Sequence, residues 1–138
     1  MSWLMDAADA ISPMLAEATG LKPADGLPDA IKAGCCGVLL NEVPIAFDFE
    51  ESGGESDRAA TLTLYACFGE TGNRSGDMGT AERALLAMDA FKATIEADMS
   101  LGGAVRYARL ASATLYSGRA DDNKHESTIE MKVEVDQW

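Results

Sequence analysis

Residues 98–110 read DMSLGGAVRYARL. A helical pattern runs into this stretch, two adjacent glycines stop it, and residues of strand character follow without a spacer. Glycine takes up positive φ without the Cβ clash that other residues suffer. Gly102 and Gly103 therefore mark a corner at which a helix reverses at once onto a sheet edge, with Leu101 closing the helix's apolar stripe just before it.

Working upstream, Thr80 is a candidate N-cap for the clearest helix in the chain. Its expected apolar stripe is Ala84, Leu85, Met88, Phe91, Ile95 and Met99, and its exposed side carries Glu82, Arg83, Asp89, Lys92 and Glu96. Downstream of the corner, AVRYARLASATLYSG is rich in β-branched and aromatic residues. A turn-like RADDNKHE leads into STIEMKVEVDQW, whose Ile129, Met131, Val133 and Val135 alternate to one face.

The N-terminal half supplies the partners. Ser2 is a candidate N-cap, and Trp3, Leu4, Ala7, Ala8, Ile11, Met14 and Leu15 recur at helical spacing. Pro13 interrupts that pattern as a kink or a break into two turns, and Gly20 ends it. LKPADGLPDAIKAG, residues 21–34, is a long connection with one short helical turn at Pro28 to Lys32. Strands follow in GVLL (37–40) and in VPIAFDF, which opens on Pro44 and places Ile45, Phe47 and Phe49 on one face. An acidic loop, Glu50 to Arg58, joins the latter to AATLTLYACF. There Leu62, Leu64, Ala66 and Phe68 alternate with Thr61, Thr63, Tyr65 and Cys67.

Hairpins on either side of a central helix, each strand with one apolar and one polar face, predict an α+β fold. The expected form is a single, mainly antiparallel or mixed sheet of about four or five strands with two α-helices packed on one face. One domain spans residues 1–138: a helix plus a long connection over 1–34, the sheet and central helix over 35–138. A domain of 138 residues buries roughly 70% of its unfolded surface, enough to fold without metals or disulfides.

Charge narrows the function classes. With 23 Asp plus Glu against 11 Lys plus Arg, the net charge is −12, which disfavours a protein that grips nucleic-acid phosphates. Cys35 and Cys36 are adjacent and Cys67 is distant, so the three do not form a secreted disulfide framework; reduced, cytosolic thiols are expected. The N-terminal residues lack the basic charge of a secretory signal, and no apolar run approaches the ~20 residues of a membrane span.

Catalytic signatures are weak. The glycines at 69, 72, 76 and 79 match neither a P-loop nor a dinucleotide site, and describe a flexible hairpin-to-helix connector. His125 is the only histidine, which excludes His-paired zinc sites. DDNKHE, 121–126, lacks the glycine and distant glutamate of a calcium loop. Cys35-Cys36 is expected to be a small buried apolar pair, and Asp48, Glu50 and Glu51 have no environment that would desolvate one of them. No enzyme activity, catalytic residue, metal or cofactor is expected.

Taken in order, VPIAFDFEESGGE, RAATLTLYACFGE, TAERALLAMDAFKATIEADMSLGGAVRYARLASATLYSGR and STIEMKVEVDQW resemble the tail terminator proteins of long-tailed, non-contractile (siphovirus-type) bacteriophages, of the lambda kind. The resemblance spans about Val43 to Trp138 and lies in the order and pattern of elements. It implies a structural virion protein, assembled in the host cytoplasm and located at the head-proximal end of the tail. There it forms a hexameric ring that caps the tail tube, ends polymerisation and presents a head-docking surface. The implied partners are further copies of itself, the tail tube protein and a head-neck connector protein. DNA passes through the lumen without specific binding, and no membrane is involved.

On this expectation the two polar loops project into the lumen or toward neighbours through Glu50, Glu51, Glu55, Asp57, Glu70 and Asp77. Tyr65, Tyr107 and Tyr116 are candidate interface residues on the polar strand faces, and Leu101, Gly102 and Gly103 form the structural corner. The closest rival is a head-side neck or tail-completion ring protein of the same virion class. A small cytosolic dimeric enzyme is the alternative from another class, and would show a pocket of convergent polar groups with a perturbed carboxylate or thiol. An acidic adaptor for basic partners is favoured by net charge alone.

Overall fold

A computed structural model describes residues 3–24, 32–49, 55–70, 77–119 and 124–137, with the backbone alone at 47–49, 55–58 and 77–78. Helix α1 is Trp3–Thr19. Pro13 neither kinks it into two elements nor ends it: the helix runs unbroken, with Pro13 and Asp9 both exposed. The carbonyl that a proline leaves without its amide, that of Asp9, is thus on the solvent side. Ala7, Ala8, Ile11 and Leu15 are buried. Gly20 ends the helix at φ 71°, its N–H donating to the Ala16 carbonyl at 2.9 Å. Ser2 and residues 25–31, including most of the expected short turn from Pro28, lie outside the described residues.

Six strands follow in one mixed sheet: β1 (Lys22–Pro23), β2 (Cys35–Leu39), β3 (Ile45–Phe49), β4 (Glu55–Gly69), then helix α2 (Asp77–Ala97), β5 (Tyr107–Arg119) and β6 (His125–Asp136). Their order is β1-β2-β4-β6-β5, with β3 also on β4. Only β1 and β2 are parallel. The extra strand over the expected five is the two-residue β1. β4 also begins four residues earlier than its apolar pattern, because Glu55 to Asp57 pair with β3 instead of forming loop. Beyond Ala46–Ala59 the next pair is Phe47–Asp57, so Arg58 is an extra residue in β4.

β4 is the spine. Along one side it pairs with β6 from Ala59–Asp136 to Gly69–Glu126. Its other side is shared, β3 taking the first part and β2 the stretch Thr63–Ala66. Alternation in the paired β4 and β6 puts Leu62, Leu64, Ala66, Phe68, Ile129, Met131, Val133 and Val135 into the core, all essentially buried. Both helices cover this face: Ala84, Ala87, Phe91 and Ile95 of α2 and Ile11 and Leu15 of α1 belong to the same buried cluster.

Two expectations about α2 are corrected. The helix starts at Asp77, so Thr80 lies inside the first turn and is not the cap. It is buried, and its hydroxyl is 2.7 Å from that of Ser127, itself 2.9 Å from that of Ser117. This hydroxyl chain satisfies polar groups where helix meets sheet. The stripe also differs: Leu85 is 42% exposed and Met99 43%. The buried arc runs through 80, 84, 87, 91 and 95, Leu85 is rotated 100° from Ala84, and Met99 lies beyond the helix end.

The sheet's second face is not uniformly polar. Tyr65 and Cys67, on the side of β4 away from the helices, are buried as deeply as Leu64 and Ala66. The link from β1 returns to β2 through a tight turn, with Cys35 N–H donating to Lys32 O at 3.2 Å and Gly34 at φ 88°. Gly34 N–H then reaches the Cys67 carbonyl at 2.9 Å. Gly37 stands opposite Tyr65 in register, and a Cβ there would come within 3.3 Å of the Tyr65 hydroxyl oxygen and of the Ala24 carbonyl. The missing side chain makes room for the tyrosine ring.

The corner is longer than its sequence suggests. α2 ends at Ala97 and β5 begins at Tyr107, so the chain makes a nine-residue elbow before the strand resumes. Leu101, Gly102 and Gly103 have φ of 53°, 70° and 94°, a short left-handed run. Asp98 clamps it, its carboxylate accepting from the Gly102 N–H at 2.9 Å and the Ser100 hydroxyl at 3.1 Å. Leu101 and Val105 are buried, pinning both limbs to the core. A Cβ at Gly102 would meet nothing within 4 Å, so only its backbone angle restricts the residue. Gly102→Val is expected to cost about 1–2 kcal/mol and to lower the thermal midpoint by roughly 3–8 °C. An unchanged midpoint would show that the angle is not a constraint.

Candidate interaction surfaces

The residues expected on projecting loops do not form one site. Glu50 and Glu51 lie outside the described residues. Glu55 and Asp57 stand in β4, in register with Phe49 and Phe47 of β3, so they belong to a strand and not to a loop. Asp77 is the first residue of α2. Glu70 is tied down: its carboxylate accepts the His125 N–H at 2.8 Å, and its own N–H donates to the His125 carbonyl at 3.1 Å. This pair of hydrogen bonds between the residue after β4 and the start of β6 makes Glu70 a staple.

The tyrosines separate. Tyr65 is 1% exposed, which removes it from any surface role. Tyr107 and Tyr116 lie on β5 and are 38% and 53% exposed. In register they oppose Asp136 and Thr128 of β6, so both sit on the face away from the helices.

That face carries charges that strand alternation placed but did not pair. Arg109 stands opposite Glu134, donating to one carboxylate oxygen through Nε at 3.0 Å and a terminal nitrogen at 2.6 Å. The pair drives the Arg109 pKa further upward, chiefly through that hydrogen bond. Lys132 donates to the Thr63 hydroxyl at 3.0 Å and sits 4.0 Å from Glu130. Such exposed pairs contribute little to stability but fix the orientation of the side chains.

Two depressions flank Pro44 on this side. One of about 320 Å³ is lined by Ile45, Ala46, Ala59, Thr61 and Glu134, and another of about 230 Å³ by Leu39, Asn41, Glu42, Thr63 and Lys132. A third, about 340 Å³, lies between the end of α1 and α2 beside Phe68, Arg83 and Leu86. Arg83 was expected on the exposed side of its helix. Instead its guanidinium donates to the Gly69 carbonyl at 2.6 Å and lies 5.2 Å from the Phe68 ring centre. A single arginine in a polar position gives no sequence signal for this anchoring.

Cys36 and Cys67 are buried and Cys35 half-buried, all with free thiols. Burial pushes the Cys36 thiol pKa up, the Thr19 hydroxyl opposing it; burial likewise raises Cys67, with Thr128 opposing. Tyr65 is raised by the same burial and by the neighbouring cysteines. These thiols are held in the un-ionised form, away from nucleophilic reactivity. Among the described residues no three of His, Cys, Asp and Glu converge as a metal would require, and no helix is long and apolar enough to cross a membrane. The carboxylates of Asp121 and Asp122 lie outside the described residues.

No known protein-family model and no curated protein sequence matches this chain.

The raised pKa values have a directional consequence. Each group's folded pKa lies above its unfolded value of 9.0 for the thiols or 10.0 for the phenol. Their contribution to stability is fully present below the unfolded values and is lost as pH rises through the folded ones. The thermal midpoint is expected to fall as the pH rises above about 9. Cys36→Ala with Cys67→Ala should flatten that limb while lowering the midpoint at pH 7; an alkaline slope left unchanged by the double variant would refute the assignment.

Proposed function

We propose that this chain is a structural ring subunit of a phage virion, a tail terminator that assembles as a hexamer on the end of the tail tube. It stops tube growth there and presents the surface to which the head docks. What supports this is the α+β architecture, which the sequence resemblance implies: one sheet with both helices on a single face. A sheet sealed on one side by helices is a stiff wedge whose other face and lateral edges are left for neighbours, the geometry a closed annulus needs.

The charge fits the passage of DNA. Six copies at −12 each give a strongly anionic ring, and a lumen bearing part of that charge repels phosphates so that the duplex slides. The subunit acts by shape, with the tail tube protein on one side and a neck protein on the other, and it works in the virion after assembly in the host cytoplasm.

The test is negative-stain microscopy of the purified protein mixed with purified tail tubes. A sixfold cap at one end of each tube is the expected result. Rings that bind heads but leave tubes bare would make this a neck protein instead, and substrate turnover abolished by a single side-chain substitution would overturn the structural role altogether.

A further inference from the structure

Among the described residues the sheet has open edges along β5, bonded to β6 on a single side, and along β3, bonded only to β4; β3 lies at the level of the first residues of β5. A single row of the sheet runs across the molecule through Ala46, Ala59, Asp136 and Tyr107, and the next through Ile45, Ala60, Val135 and Ala108. The two ends of these adjacent rows carry exposed large side chains, Ile45 at 39% and Tyr107 at 38%. A copy displaced sideways along the rows therefore brings Tyr107 of one molecule opposite Ala46 of the next and Ala108 opposite Ile45, with Tyr107 and Ala46 both exposed on the face away from the helices.

Strand polarity agrees. β3 is antiparallel to β4, β4 to β6 and β6 to β5, so β5 points opposite to β3. Their pairing across a boundary between copies is antiparallel and continues the hydrogen-bond ladder without reversal. Charge agrees as well. From Arg106 to Arg119 the chain holds Arg106, Arg109 and Arg119 and no carboxylate, in a molecule of net charge −12; from Asn41 to Phe49 it holds Glu42 and Asp48 and no basic residue. Joining β5 to β3 brings a basic segment to an acidic one, whereas β5 against a second β5 brings two basic segments together, and like charges across strands are disfavoured. An open edge thirteen residues long is also one that proteins ordinarily cover or blunt.

We propose that copies of this chain join edge to edge, β5 of one protomer pairing antiparallel with β3 of the next. The contact is heterologous, so it propagates head to tail and closes when the rotation per copy divides the circle. It deepens the ring proposal above and rests on it for closure at six.

Ala46→Cys and Tyr107→Cys, which share a row and a face, are introduced together and singly, in a chain with Cys35→Ser to silence the half-buried native thiol. The protein is oxidised alone at high concentration and with tail tubes, then run on non-reducing gels and viewed by microscopy. The paired variant is expected to give a covalent ladder ending at six copies, and neither single variant a dimer. A dimer from Tyr107→Cys alone would overturn the proposal in favour of a two-fold β5 contact. Sixfold rings without a ladder would overturn the edge contact and leave the ring standing. A ladder with no closed ring would support the edge contact and overturn the hexameric cap, while monomers throughout would overturn both.

Discussion

The molecule depends on β4 having partners on both sides and cover on both faces. Its fifteen residues are too long for any one neighbour, so β3 and β2 divide one flank while β6 takes the other. Burial of Leu62 to Phe68 on alternate faces follows from this central position. The helices seal one face along β6, and on the other face Tyr65 and Cys67 are buried. A central strand covered in this way resists register slip, because sliding by one residue would exchange Leu64 with Tyr65 in the core.

Coverage thins toward β5. Only Ala108 of that strand is buried, Leu110 and Leu115 are half-buried, and the remainder is exposed on both faces. The elbow before it is built for position: three consecutive left-handed residues, clamped by Asp98, deliver the chain from the end of α2 to the sheet edge. Leu101 adopts a φ that costs a non-glycine residue about 1–2 kcal/mol, and its burial offsets that strain. The conformation sets where β5 starts, and among the described residues β5 pairs on one side only.

Function follows from the same asymmetry. Charge on the exposed face is arranged in pairs, Arg109 with Glu134 and Lys132 near Glu130, while Cys36, Cys67 and Tyr65 are withdrawn into un-ionised burial. The structure invests in stiffness and lateral surfaces. Such a body suits the ring assembly proposed above, and on that proposal the excess of acid keeps its surfaces from holding DNA.

By itself the sequence determined the helices, the strands that alternate cleanly and the α+β class, because hydrophobic period is a local property. β6 was legible residue by residue, and so was the buried face of α1. Tertiary structure alone decided the rest. Tyr65 and Cys67 occupy polar-face positions of a good alternating strand, and only the tertiary fold makes them core. Glu55 and Asp57 are strand because β3 is there to pair with them, and Glu70 is a staple because His125 comes beside it from fifty-five residues away. Leu85 left the stripe because the packing axis of α2 on the sheet, which no local pattern encodes, turned it outward. Contacts between distant segments choose among locally equivalent residues, so the edges open to a neighbour emerge only once the strands are in order.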